Sequence, residues 1–205
     1  MTWIKIGILI IGALYAILLP YIVYKTIIGI KFDPYTYTLS FLSNKSLYSK
    51  NTARGYTRLL LITAALHYMF FWLLTEYYFL GAEERYLKYI DYSSMAITML
   101  GLLRHNMLPY SFKTLRAALQ RAGHNIVAVL VFLLVPGLII IFQILILDDH
   151  KLLGIGGLVI IGLTLVMLVY SIIKDGLNGI AELVFINGLS LWSIFVAIIT
   201  LLSKG

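Results

Sequence analysis

The feature that most constrains this chain is its division into six apolar stretches. Each is close to the roughly 20 residues that an α-helix needs to cross about 30 Å of hydrocarbon. They cover residues of about 3–28, 57–80, 86–103, 122–147, 152–173 and 183–202. Within hydrocarbon every backbone N–H and C=O must find its partner inside the protein, so runs of this length fold as helices. Composition agrees: 61% of the residues are hydrophobic and only 12% are charged, about half the charged share of a soluble domain. The expected fold is an all-α integral membrane protein, a six-transmembrane-helix bundle forming a single transmembrane domain over 1–205. A multi-pass protein of the cell membrane is the corresponding location.

The spans carry small residues and prolines at informative places. Lys5 before an apolar run resembles a signal peptide, but the run is too long and no small-residue cleavage site ends it, so the first span is read as retained. Gly12 and Ala16 form a small-xxx-small pair suited to close helix packing, and Gly154, Gly156 and Gly157 would let another backbone approach the fifth span. Pro20 and Pro136 are kink candidates, tolerated where a neighbour satisfies the freed carbonyl.

Three connections are mere turns, so the second and third, fourth and fifth, and fifth and sixth helices should be antiparallel neighbours. The link 104–121 is longer and basic, and 111–120 suits a short interfacial helix. The larger loop, at about 29–56, contains Asp33-Pro34-Tyr35-Thr36-Tyr37-Thr38-Leu39-Ser40-Phe41-Leu42, which alternates loosely. Periodicity leaves open whether this stretch is extended or dips into the interface. Eleven of the sixteen lysines and arginines (Lys25, Lys31, Lys45, Lys50, Arg54, Arg58, Arg104, Lys113, Arg116, Arg121 and Lys174) belong to the first, third and fifth connections and adjoining helix ends. The positive-inside rule then puts both termini outside and the large loop in the cytoplasm.

Polar groups within the spans are the candidate functional residues. His67 lies mid-span with Thr63 one turn before it. It reads as a proton relay, a ligand contact or one metal ligand, or, as the favoured alternative, a neutral histidine hydrogen-bonded across a helix interface. Asp91, Ser94, Thr98 and His105 line one face of the third helix, bordering either an aqueous path or headgroup groove, or an interhelical hydrogen-bond seam. Counting outward from a turn at 81–85 puts His67 level with Thr98 and Gly101 and makes a His67–Asp91 dyad improbable. Asn187, Ser190 and Ser193 repeat the pattern in the sixth span, where helix glue is the simpler reading. Arg104, His105, Lys113, Arg116, Arg121 and His124 form a basic cluster suited to anionic lipid headgroups, although topology alone would produce much of it.

Signatures of catalysis are poor. The chain has no cysteine, no HExxH, no glycine-rich phosphate loop and no GxSxG, and its four histidines lack metal-ligand spacing. No metal or cofactor is expected. The net charge of +7 sits in short loops between apolar spans, where lipid rather than nucleic acid explains it.

Three segments carry a family resemblance: Leu39-Ser40-Phe41-Leu42-Ser43 after the first span, Gly101-Leu102-Leu103-Arg104 followed by His124, Phe132 and Pro136, and Gly188-Leu189-Ser190 followed by Trp192. In these the chain resembles the six-helix membrane family known as domain of unknown function 998, related to the autophagy-modulator-like membrane proteins. Ser43 stands where that family has glycine, and a Phe-Pro pair and an arginine of its pattern are missing. The resemblance implies six helices and no assigned chemistry, and it directs attention to Ser40 and His124.

The reading that follows is a non-catalytic integral membrane protein that binds lipid or partner membrane proteins, self-association included. The alternatives are a small-solute or ion transporter or channel using the polar faces of helices two, three and six, and an intramembrane lipid-processing enzyme. A channel or transporter predicts a wet path between those three helices.

Overall fold

The computed structural model describes residues 2–44, 48–103 and 115–203, the side chains of 115–118 excepted. Six α-helices follow one another: α1 (Thr2–Ile30), α2 (Lys50–Tyr77), α3 (Glu84–Leu102), α4 (Leu115–Leu145), α5 (Lys151–Asp175) and α6 (Gly179–Leu202), with short 3-10 helices at Leu39–Ser43 and Leu80–Ala82. Among the described residues there is no strand. Five of the helices are long and apolar enough to cross a membrane by length and composition. The exception is α3, whose first half carries Glu84, Arg85, Lys88 and Asp91; its 19 residues still span about 28 Å at 1.5 Å per residue.

Each helix packs against its neighbours in sequence, and α6 closes the ring against α1. That last pair runs antiparallel: Asn187 Nδ2 donates to Tyr24 Oη at 2.8 Å near one end, and Lys5 Nζ donates to Ser203 O at the other. The outward faces are apolar, with Ile10, Leu14 and Ile17 of α1 and Leu163, Val166 and Tyr170 of α5 exposed. A surface of that kind is matched to hydrocarbon rather than to water.

Inside the ring, the place where the channel or transporter reading puts a wet path between α2, α3 and α6 holds aromatic rings. Phe70, Phe71, Phe142 and Trp192 are fully buried. Phe71 stacks on Trp192 at 5.6 Å, while Phe70 and Phe142 meet the indole edge-on at 6.1 Å. Gln143 fixes the indole: oriented to satisfy both its partners, its amide donates to Leu153 O at 2.9 Å and accepts from Trp192 Nε1 at 2.8 Å. Close helix approach makes this possible. A Cβ on Gly157 would fall 2.2 Å from the Gln143 amide, and one on Gly12 would fall 2.7 Å from the Phe70 ring. Gly12 and Gly157 thus admit neighbouring side chains, and a Cβ on Gly154 would fall 2.9 Å from the Leu147 backbone, all inside this one chain.

Three sequence expectations need correction. The counted depth match between α2 and α3 is off by more than one turn, because α2 stops at Tyr77 and the reversal takes residues 78–83, with Phe79 in the left-handed region at φ 56°. His67 therefore meets Ser93, and Gly101 packs on Leu60. The part of the suspected interfacial helix that is described, from Leu115 onward, is the start of α4, which begins well before the expected 122. The 39–43 segment is not extended: it is a 3-10 helix, with Leu39, Ser40, Phe41, Leu42 and Ser43 all buried against the bundle.

Candidate functional site

The loop after α1 is held by its own side chains. Asp33 accepts from the Tyr35 amide at 3.0 Å and from the Thr36 hydroxyl at 2.5 Å, an Asx turn. The Thr36 hydroxyl, helped by that amide, holds the Asp33 carboxyl below the usual carboxylate range. The turn presents carbonyls to the start of α6, whose first N–H groups have no partner within the helix. Gly179 N donates to Tyr37 O at 2.9 Å and Ile180 N to Pro34 O at 3.2 Å. Asn178 caps the same end, accepting from Ala181 N at 3.1 Å and donating to Tyr35 O at 3.3 Å. Residue 179 has to be glycine here, since a Cβ would lie 2.8 Å from Tyr37 O.

This arrangement brings Glu182, in the first turn of α6, against the buried 3-10 helix, where its carboxylate accepts from the Leu39 amide. Beside it, Ser40 pairs with the Thr38 hydroxyl at 2.8 Å, and Ser43 Oγ donates to Ser40 O at 2.7 Å. His124 comes from α4: its Nδ1–H donates to Leu103 O at 2.5 Å, tying α4 to the end of α3. With that proton placed, Nε2 of a neutral imidazole is an acceptor.

Two chambers meet at these residues. The inner one, about 90 Å³, is walled by Tyr15, Leu60, Ile97, Val131, Phe185 and Leu189 among others, and is almost wholly apolar. The outer one, about 410 Å³ and partly open, is lined by Thr36, Tyr37, Thr38, Phe41, Arg121, Asn125 and Leu177. Ser40, His124, Ala128 and Glu182 belong to both. The result is one cleft between α4, α6 and the 39–43 helix, partly polar in its larger chamber and apolar in the smaller. Among the described residues, no lysine, arginine or histidine nitrogen lies within 4 Å of the Glu182 carboxylate; the ion pair found there is Lys88–Glu84, on the surface.

The sequence-derived candidates divide between places. His67 is fully buried in a separate, directed network behind the inner chamber. Ser93 Oγ donates its one proton to Ile90 O at 3.1 Å, so it accepts from His67 Nε2–H at 2.8 Å, and His67 Nδ1 then accepts from the Tyr15 hydroxyl at 3.0 Å. Tyr15 is shared with the chamber wall. Asp91 is exposed on the outer face of α3, while Ser94 and Thr98 are half-buried, with Thr98 Oγ1 donating to Ser94 O at 2.8 Å. Asn187 is exposed and joins α6 to α1 through Tyr24, and Ser190 and Ser193 donate back to their own helix at Ile186 O and Leu189 O. Neither Asp91 nor Asn187 is brought to His67. Of the basic cluster, Arg121 and His124 line the cleft; Arg104, His105 and Lys113 lie outside the described residues, as does the side chain of Arg116. Ser40 and His124, singled out by the family-like motif, share both chambers. No group of three or more histidine, aspartate and glutamate side chains is placed to hold a metal among the described residues.

Sequence reasoning missed Glu182, Ser93 and Tyr15. The signal for Glu182 was present: Gly176 followed by Asn178 marks a helix stop and a new N-cap, which starts α6 early enough to include it. Ser93 is offset by one position from the polar stripe, and nothing in the sequence pairs it with His67.

Fold and cleft together define the class, a helical membrane protein with an amphipathic cleft at one end of its bundle. No protein-family model matches the chain, and no curated protein or solved structure is significantly similar to it.

Proposed function

We propose that the protein binds a membrane lipid in this cleft, with a phosphate group at the Arg121 end and the adjoining apolar part in the inner chamber. The observation that carries the reading is that an almost wholly apolar chamber and a larger, partly polar one share Ser40, His124, Ala128 and Glu182. A lipid has the same polarity step where its headgroup meets its chain. At about 30 Å³ per water, the outer chamber has room for on the order of a dozen waters, enough for a phosphate-bearing headgroup. The inner chamber is smaller than the roughly 150 Å³ cavities that accept benzene, so it takes only a few carbons. Arg121 supplies a planar, permanently charged donor fork suited to phosphate, within the basic stretch that also holds Arg116. Ser40 and His124, the residues of the family-like motif, both line this cleft. The transporter and enzyme readings have no comparable observation behind them, since Asp91 and Asn187 lie on exposed faces.

The test is Ala128→Phe, which places a ring at the shared waist of the two chambers. The protein and this variant are purified in mild detergent, and tightly held lipid is measured by native mass spectrometry. Loss of most retained lipid with an unchanged melting temperature is expected. An unchanged lipid complement in a folded variant overturns the reading.

A further inference from the structure

We infer that the cleft selects its lipid by a positive charge in the headgroup: Glu182 receives an ammonium group while Arg121, on another helix of the same chamber, holds the phosphate. The ligand class is thus a zwitterionic, amine-bearing phospholipid. The inference rests on the lipid-binding reading above and adds the headgroup to it.

Three observations converge. First, the Glu182 carboxylate is lodged between α6 and the buried 39–43 helix, yet its one hydrogen-bond partner among the described residues is the Leu39 amide. A carboxylate removed from bulk water needs a positive partner or a proton, and no protein cation lies within 4 Å of it among the described residues. Second, the carboxylate borders the outer chamber, so the missing charge can arrive with a ligand. Third, the Tyr37 and Phe41 rings line that chamber with centroids 5.2 Å apart. Aromatic faces attract ammonium groups through their negative π-clouds. Arg121 opposes this set with the opposite charge, so the chamber carries both signs and matches a headgroup carrying both.

The expected selectivity runs against the overall charge of the protein, which makes it diagnostic. A formal charge of +7 draws anionic lipids to the surface without any shaped site. A preference for an amine-bearing zwitterion therefore has to come from a local feature.

The experiment presents the protein with an equimolar mixture of phosphatidylethanolamine and chain-matched phosphatidylglycerol, and reads the ratio retained by native mass spectrometry. Wild type is expected to favour the ethanolamine lipid by about fivefold, as one partly solvated ion pair of about 1 kcal/mol gives. Glu182→Gln keeps an oxygen for the Leu39 amide but removes the charge. It is expected to bring the ratio down to about one or below by lowering the ethanolamine lipid retained, in a variant that still folds. An equal ratio in wild type and Glu182→Gln overturns the inference. Should Glu182→Gln fail to fold, wild type is offered phosphatidylethanolamine against its N-acetylated form, which keeps the phosphate and lacks the ammonium. Preference for the free amine supports the assignment, and equal retention overturns it. The two readings fail separately: lipid held undiminished by Ala128→Phe denies the cleft, whereas lipid lost from Ala128→Phe with an unaltered ratio in Glu182→Gln denies only the ammonium site.

Discussion

Replacing His67 with leucine measures what the buried hydrogen-bond chain contributes to the bundle. The ring joins three helices, accepting from Tyr15 of α1 at 3.0 Å and donating from α2 to Ser93 of α3 at 2.8 Å. Interhelical hydrogen bonds in bilayers average about 0.6 kcal/mol and reach about 1.7, so losing two costs about 1–3 kcal/mol. Ser93 keeps its bond to Ile90 O, but the Tyr15 hydroxyl is left in a buried position without another partner among the described residues. That orphan adds about 1–3 kcal/mol. Adding Tyr15→Phe to His67→Leu removes the orphaned hydroxyl while preserving the ring packed on Phe70. The double variant should therefore be about 1 kcal/mol more stable than His67→Leu alone, although Tyr15→Phe by itself destabilises. The assay is reversible unfolding of all four proteins in bicelles, for instance by steric trapping. If the two substitutions simply add, the Tyr15 hydroxyl and His67 are not hydrogen-bonded as described.

Two further outcomes follow from local geometry. Gly12→Leu should destabilise the monomer by several kcal/mol, because even a Cβ there sits 2.7 Å from Phe70 and 3.2 Å from Ala197, and large overpacking typically costs 1–3 kcal/mol or more; unaltered unfolding would show that α1 does not lie against α2 and α6 as described. Asp33→Asn should flatten the acid limb of the stability profile: a carboxyl held low when folded stabilises above its unfolded value near 3.9, and that contribution is lost as the pH falls through the lower folded value. Parallel wild-type and variant melting curves from pH 5 down to pH 2 would remove Asp33 from the turn.

Apolar run length made the six helices legible, because a backbone in hydrocarbon has few alternatives and those runs are long. The same logic reads the short turns and the small residues at 12 and 157, whose only function in a helix is to let something approach. It does not read depth. The pairing of His67 depends on where α2 stops, and the left-handed residue at 79 is a phenylalanine, a residue that gives no warning of positive φ. Nor does it read the 39–43 segment, whose burial depends on carbonyls of 34, 35 and 37 meeting the start of a helix more than 130 residues later. Half of the candidate cleft was visible, as Ser40, Arg121 and His124. Glu182 was lost at a helix boundary, where a span drawn from hydropathy alone begins after the last charged residue and so discards it.

Closure of the ring between α1 and α6 sets an order of events during synthesis. The Lys5–Ser203 contact joins residues 198 positions apart. At about 5–20 residues per second, α1 waits about 10–40 s in the bilayer before α6 exists to cover it. For that interval its Gly12–Ala16 face has α2 on one side and lipid, or some transient companion in the insertion machinery, on the other. The cleft cannot form earlier either, because the amide of Leu39 is made 143 residues before the carboxylate that accepts from it.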